Sequence, residues 1–453
     1  MSTTEKIARF IVDFQFDQIP AKGLEQAKIS ILDTIGTALV GAKGEIGTIL
    51  ARYVTEMGGN PQARLIGKGT KTSTPQAALA NGTFAHADDY DDMASWGHAG
   101  AFLTAPLLAL GEWLHLSGKK ILEAYVVAFE VGYRLHISIG DIIQAGFHSS
   151  CLLGTMAAAA ESAKLLGLDV HKTRATLGIA ASLASGVMEN FGTYTKPFHA
   201  GHASRNGVIA AILAREGLSA NLNVLEGPRG FFYVFGQEQA NIGRMRKNLG
   251  KSLAIVEEGV SIKPWPCCGG NHEALTAILQ LIEKHDIKPD EVDSIEVATS
   301  WKPPGPLVRI NPEIGFEGKF SARYNMALAL IDRKIDLDSY TKEKFQRPEV
   351  HSLMKKVNYI QHQDCVDRPL RLQSESRFAV VTVKLKDGRV LSERQDAQGR
   401  KKLRGEEVYF KYRQNAQVFG LSADRINHSF ELLNELEALN DINPLIDAVT
   451  QST

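Results

Sequence analysis

From residue 4 to about residue 250, apolar side chains recur every three or four positions, the period of helices with one buried face. TTEKIARFIVDF offers threonine caps before such a stripe. GLEQAKISILDTIGTALVGA repeats the pattern and closes at glycine. HSSCLLGTMAAAAESAKLLGL and HKTRATLGIAASLASGVMENFG are rich in alanine and glycine. Small residues let helix backbones approach closely, so these stretches predict central helices of a packed bundle. Glu161, Lys164 and Glu189 argue against reading them as membrane spans.

The pattern changes near Leu253. IVEEGVSIKPWP reads as extended, and DEVDSIEVAT carries strand-like alternation. FAVVTVKLKDGRVLSERQD predicts a hairpin that turns at Lys386-Asp387-Gly388. KFSARYNMALALIDRK, between these, reads as helix, and helices return beyond Gly405 in VYFKYRQNAQVFGL and ADRINHSFELLNELEAL. The expected fold is mainly α: a large helical domain from residues 1–262 and 397–453, and a smaller α+β domain over 263–396. No internal repeat or low-complexity tail is visible.

A chain of 453 residues can bury such a core and divide in two. Lys+Arg and Asp+Glu both number 51, which argues against broad attraction to nucleic acid or anionic membranes but leaves room for a local basic pocket. MSTTEKIARF lacks the apolar core of a secretory signal, and no unbroken apolar run approaches a membrane span. The cysteines, Cys151, Cys267, Cys268 and Cys365, fit neither zinc-ligand spacing nor a CxxC pair. A reduced, cytoplasmic setting is therefore expected.

Candidate chemistry concentrates in NGTFAHADDYDDMASWGHAG, Asn81 to Gly100. Asp88, Asp89, Asp91 and Asp92 lie between His86 and His98, with apolar helical stretches on both sides. Ionisable groups beside a core are costly unless paired or used, so a site is favoured over a solvated acidic turn. GFHSS places His148 at a helix start, where it is either an acid or base or a plain helix-entry residue. NFGTYTKPFHAGHASRNG reads as a polar loop between two apolar helices, carrying Asn190, Thr193, Thr195, Lys196, His199 and His202. Lys196 precedes Pro197, which biases it away from helix, and a solvated lysine is the plain alternative. His202, one turn into the next helix, reads as a core histidine. In KPWPCCGGNH, His272 opens a helix as either a cap or a site residue, and in KFSARY Tyr324 is either a site residue or a packing aromatic. No GxGxxG, P-loop, HExxH or GxSxG stands in its required context, and the carboxylates near His86 lack the spacing of a known calcium loop.

Together these segments resemble the MmgE/PrpD family along the full chain. LDTIGTALVGA, NGTFAHADDYDD, GFHSS, the NFGTYTKPFHAGHASRNG block with the later LEGPRGFF, and KFSARYN fit its motifs in order. That family includes 2-methylcitrate dehydratase, cis-aconitate decarboxylase and iminodisuccinate epimerase. The resemblance implies a helical domain built from both chain ends, an α+β lid, a homodimer, and a cofactor-free, metal-free active site between the domains. By motif, Asp89, His98, His148, Lys196 and Tyr324 are the implied catalytic residues, and Lys263 and His272 line the substrate. One departure stands out: DYDDM with ASWGHAG replaces the usual DFDDT ending in HPS, so Met93 stands where threonine is usual. A lost hydroxyl removes a hydrogen bond to substrate, which changes substrate choice more readily than chemistry. On a helical turn Met93 would share a face with Asp89, four residues before it.

The expected function is a lyase acting on a small di- or tricarboxylate by proton transfer next to a carboxylate. Lys196, Lys263 and protonated histidines would supply cations for the anion, and several histidines, a lysine and a tyrosine offer acid and base; Lys196 and His148 are expected around the carboxylates, and His98 as proton donor or acceptor. Asp89 would orient a histidine or Lys196, and Tyr324 would close the pocket. An epimerase that returns the proton to the other face is the second reading, and an inactive binding homologue the third.

Overall fold

The structure, a computed structural model, describes residues 1–140, 142–143, 145–366 and 377–450. Its chain divides into two compact units. The larger is formed by Met1–Glu189, Pro197–Ile262 and Arg404–Thr453, and the smaller by Asn190–Lys196 and Lys263–Leu403. Residues 190–196 and 397–403 thus group with the smaller unit, and not with the helical segments to which the sequence pattern assigned them.

The larger unit is helical, and its glycines explain its packing. Helix α1 (Thr3–Asp13) is capped by Ser2, whose hydroxyl accepts from the Glu5 amide, and not by the threonines. Helix α2 (Ala21–Lys43) runs through Gly41, where the pattern closes, and ends two residues later before the Gly44 cap. Gly41 is a contact glycine: a Cβ there would lie 2.0 Å from the Phe84 carbonyl oxygen. Helix α3 spans Glu45–Met57 and α4 spans Thr74–His86. Helices α5 (Ala99–Leu114), α6 (Gly118–Ile139), α7 (Ser149–Leu165), α8 (Val170–Leu183) and α9 (Thr195–Arg215) follow. A short hairpin pairs β1 (Ala63–Arg64) with β2 (Lys71–Thr72). Close approach recurs at the centre. A Cβ on Gly201 of α9 would lie 2.0 Å from the Leu79 carbonyl of α4, and one on Gly207 would lie 2.5 Å from the Ala158 backbone of α7. The Ala/Gly-rich stretches are therefore central helices, as their composition predicts.

Two local readings are corrected. The Asn190–His202 stretch is not all loop: α9 begins at Thr195, so Lys196 and His199 are helical. Pro197 sits in the first turn, where its missing N–H leaves no intrahelical bond unmade. IVEEGVSIKPWP is not simply extended either. Ala254–Glu257 forms a helical turn, after which Ser261 pairs with Met93 as an isolated bridge.

The smaller unit holds a four-stranded sheet in the order β4-β3-β5-β6. Strand β3 (Val292–Thr299) runs parallel to β4 (Val357–Gln361) and antiparallel to β5 (Phe378–Leu385). β5 and β6 (Val390–Asp396) form the predicted hairpin, with Gly388 at φ +93° in the turn. Helices α10 (His272–His285) and α11 (Ala322–Asp332) pack their apolar faces on this sheet. Helices α12 (Glu406–Phe419) and α13 (Ala423–Asn434) belong to the larger unit. The class is mainly α with a small sheet, as the pattern predicts. Among the described residues, no helix is long and apolar enough to cross a membrane.

Candidate active site

Helix ends build the site of the larger unit. His86 is the last residue of α4, His98 the cap residue of α5, and His148 the cap residue of α7. His199 stands in the second turn of α9. The close contacts of α9 with α4 and α7 bring these ends together. His86 and His98 have ring centroids 4.3 Å apart, His86 and His148 6.1 Å, and His148 and His199 5.3 Å. Three of the four rings enter from helix N-terminal ends, where backbone amides favour an anion.

The acidic segment wraps under these rings. After α4 the chain turns through Asp89, a non-glycine residue at φ +49°. That left-handed turn sends Asp91 and Asp92 into the interior, where both are fully buried. Asp91 Oδ1 accepts from His86 Nδ1 at 2.8 Å, and its Oδ2 lies 3.2 Å from His98 Nδ1. His98 Nδ1 also lies 3.0 Å from the Asp92 carbonyl oxygen. A carbonyl only accepts, so His98 carries its hydrogen on Nδ1 and leaves Nε2 as the nitrogen that takes up a proton. Asp89 Oδ1 lies 3.7 Å from that Nε2. Burial by itself would raise the Asp91 carboxyl, but the charges and hydrogen bonds of His86 and His98 hold it well below the usual carboxylate range. The His98 side chain keeps 14% exposure while those of His86 and Asp91 have none, so the cluster is reached at His98.

Behind the cluster lies a second buried set. Asp92 accepts from the Gly100 amide at 2.9 Å and from the Ser30 hydroxyl, which also meets Tyr125 Oη at 2.5 Å. Burial, with Asp33 and Asp91 nearby, pushes the Asp92 carboxyl up to about 7 despite these donors. Gly100 is required here, because a Cβ would lie 2.1 Å from Thr34 Oγ1. Ser150 of α7 accepts the His98 amide at 3.2 Å, which fixes the ring's backbone. Lys411 pairs with Asp33 at 2.7 Å and donates to the Tyr90 carbonyl at 2.6 Å, so the segment is held at Tyr90.

The smaller unit gathers buried cations. Lys263 and His272 both approach the Cys267 carbonyl oxygen, Nζ and Nε2 each at 3.3 Å. Lys319 donates to the Pro266 carbonyl at 3.1 Å and lies 4.3 Å over the Tyr340 ring. Lys196 lies 5.4 Å over both the Phe191 and Phe320 rings. All three lysines are buried, so the solvated-lysine reading of Lys196 does not hold. His272 is not a cap: Asn271 precedes α10, and the His272 ring turns inward against Trp265.

Two expectations of local placement are corrected. Tyr324 is fully buried in the apolar core of the smaller unit, and its hydroxyl donates to the Ser339 carbonyl at 2.7 Å. Burial pushes that hydroxyl up, which suits a packing role and not a proton donor. Met93 does not share a helical face with Asp89, because it sits in the extended bridge to Ser261. Its amide donates to Ser261 O at 2.9 Å and its carbonyl accepts from Ser261 at 2.8 Å.

The structure brings Asp89, His98 and His148 together in one unit and Lys196, Lys263 and His272 into the other. Sequence reasoning named His86, Asp91 and His199 within their segments but gave none of them a role. His86 had a signal, since it and His98 flank the acidic run. Choosing Asp91 over Asp89 needed the left-handed turn at Asp89, which no residue pattern announces. His202 is half-buried, bonded through Nε2 to Asn206 at 2.8 Å, and its burial lowers its proton affinity, in line with a core role. Side-chain atoms of His86, Asp89, Asp91 and His98 lie within 4.8 Å of one another, a donor set that could hold a cation.

Comparison with known proteins agrees with these motifs. The MmgE/PrpD N-terminal domain matches residues 5–242, and the MmgE/PrpD C-terminal domain matches residues 265–435. Cis-aconitate decarboxylase of Mus musculus is 29% identical over 98% of this chain and 92% of its own length. Cis-aconitate decarboxylase of Aspergillus terreus is 27% identical over 98% of this chain and 95% of its own. The mitochondrial 2-methylcitrate dehydratase of Yarrowia lipolytica is 22% identical over 86% of this chain and 78% of its own. With both domains matched in order around a buried histidine–aspartate cluster, the chain belongs to the MmgE/PrpD family.

Proposed function

We propose that this MmgE/PrpD-type enzyme is a cofactor-independent lyase, a decarboxylase or dehydratase acting on a small di- or tricarboxylic acid. The observation that carries the reading is the pair His86 and His98, both held by the buried Asp91, within a chain similar to decarboxylases over 98% of its length. Losing carbon dioxide leaves the electron pair of the broken C–C bond on carbon, which an acid must then protonate. Losing water needs a base for the carbon-bound proton and an acid for the departing hydroxide. His98 Nε2 supplies either step, accepting a proton as neutral ring and returning it as imidazolium. Asp91 steadies that imidazolium and fixes the ring, the role of a buried carboxylate beside a catalytic histidine. Asp89 faces the accepting nitrogen, and His148 supplies a second proton site. Lys196, Lys263 and His272 are assigned to the substrate carboxylates, where charge-assisted bonds are strong. Met93, which replaces a usual threonine, is assigned to substrate choice. A cytoplasmic homodimer belongs to the same proposal.

The test is turnover of a polycarboxylate set that includes cis-aconitate and 2-methylcitrate, followed by proton NMR in deuterium oxide. A lyase yields a new unsaturated or decarboxylated product. Exchange of the α-proton without that product would make the protein an epimerase, and no turnover of any acid would make it an inactive homologue. Turnover is expected to survive EDTA. Loss of activity with EDTA, restored by a divalent metal, would assign the donor set of His86, Asp89, Asp91 and His98 to an ion.

A further inference from the structure

We propose that His199 is a positioning residue that fixes the tautomer of His148, a role that deepens the lyase reading and rests on it for its catalytic consequence. The two rings meet nitrogen to nitrogen, His148 Nδ1 to His199 Nδ1 at 3.1 Å, and both side chains are buried. A ring nitrogen bearing hydrogen can only donate, and one without it can only accept. The contact therefore holds one hydrogen. If it sits on His148 Nδ1, His148 Nε2 is bare and acts as a base. If it sits on His199 Nδ1, a neutral His148 carries its hydrogen on Nε2 and acts as an acid. His199 thus decides which chemistry His148 presents; exchanging the two states moves the shared hydrogen between the Nδ1 atoms and, for neutral rings, also puts a hydrogen on His148 Nε2 and takes one from His199 Nε2. Two fully protonated rings would set N–H against N–H and cannot keep this distance.

The contact is built into rigid elements. His148 is the cap residue of α7, and its amide donates to the Gly186 carbonyl at 3.0 Å. Gly186, at φ +103°, lies so close to α7 that a Cβ would come 2.5 Å from the Cys151 Cβ. His199 is two residues before Gly201, where α9 presses on the Leu79 carbonyl. Neither ring can retreat by a shift of its backbone. His86, itself bonded to Asp91, stacks near His148 with its ring 25° from that of His148.

The experiment is nitrogen NMR of the whole protein labelled with 15N-histidine, with His148 identified by its loss in His148→Gln. The wild type is expected to show one protonated and one bare Nδ1, coupled to each other across the hydrogen bond. In His199→Phe, which keeps a flat ring but no partner, the His148 signals should move to a mixture of tautomers, and kcat should fall on the order of 10²-fold with KM little changed. His199→Asn, whose amide reaches the same point as Nδ1, should recover most of the rate. An uncoupled pair in the wild type, a folded His199→Phe with unchanged kcat, or equal losses in the Phe and Asn variants would overturn the proposal. The wild-type spectrum decides it even if a variant does not fold. Because the spectrum is read without turnover, a wild type inert toward every acid would sink the lyase reading alone.

Discussion

The candidate site residues of the two units keep different company. In the helical unit, imidazoles meet carboxylates and each other: His86 and His98 on Asp91, His148 on His199. In the smaller unit, amines meet backbone carbonyls and ring faces: Lys263 on Cys267 O, Lys319 on Pro266 O and Tyr340, Lys196 on Phe191 and Phe320. A carboxylate or a second imidazole can exchange a proton with its partner near neutral pH. A carbonyl or an aromatic face cannot, and offers only attraction to a cation. The first arrangement suits moving protons, the second suits holding an anion. Removing members of the two sets should therefore fail in different ways.

Asp91→Asn breaks the contrast most severely. The amide keeps the shape but reverses a hydrogen-bonding edge toward one histidine and loses the charge. Turnover should fall on the order of 10³-fold. Asp89→Asn, which alters only the 3.7 Å approach to His98, should cost clearly less. Kinetics of the two variants side by side check this, and equal losses would return Asp89 to the central place that motif matching gave it.

Lys196→Ala should abolish measurable turnover while the protein stays folded, since this side chain lies over two rings and contributes charge more than packing. Saturation kinetics and circular dichroism measured together decide the matter. Near-normal activity, or precipitation, would show that Lys196 is structural.

Tyr324→Phe sharpens the contrast from the other side. The expected result is activity within about threefold of wild type and a loss of stability of about 1 kcal/mol, that of one buried hydrogen bond. A much larger loss of kcat without loss of melting temperature would restore Tyr324 to the site.

The smallest effect concerns pH. Asp92 is pushed up to about 7, mainly by burial, from an ordinary carboxyl value of 3.8. The folded protein then binds more protons than the unfolded chain between these values, so this group's contribution to stability is present at low pH and is lost as pH rises from about 4 to about 7. Denaturant midpoints across that range should fall less steeply in Asp92→Asn than in the wild type. Parallel slopes would mean that Asp92 does not titrate there.

Much of this was legible in the sequence for physical reasons. Helical period, the Lys386-Asp387-Gly388 turn and the small-residue helices are local signals, and each element they predict is present. The acidic run between two histidines marked the site because burying four carboxylates unpaired would be too costly. What stayed hidden depends on the third dimension. The left-handed Asp89 turn decides which aspartate faces the rings. The approach of α9 to α4 at Gly201 brings His199 to His148. Tyr324 carries a site motif but sits in a core, because the Ser339 carbonyl there takes its hydroxyl hydrogen. Helix-like spacing misplaced Met93, since the Ser261 bridge holds it extended.

The central claim is that His98 carries the proton of a lyase reaction. The most direct measurement follows the preferred acid in deuterium oxide by NMR, with wild type and with His98→Asn, whose amide preserves the hydrogen bond made by Nδ1 but has no Nε2. The account predicts a decarboxylated or dehydrated product from the wild type, with solvent deuterium on carbon if carbon dioxide is lost, and a rate lower on the order of 10³-fold in the variant. Product formation by His98→Asn at the wild-type rate would contradict it.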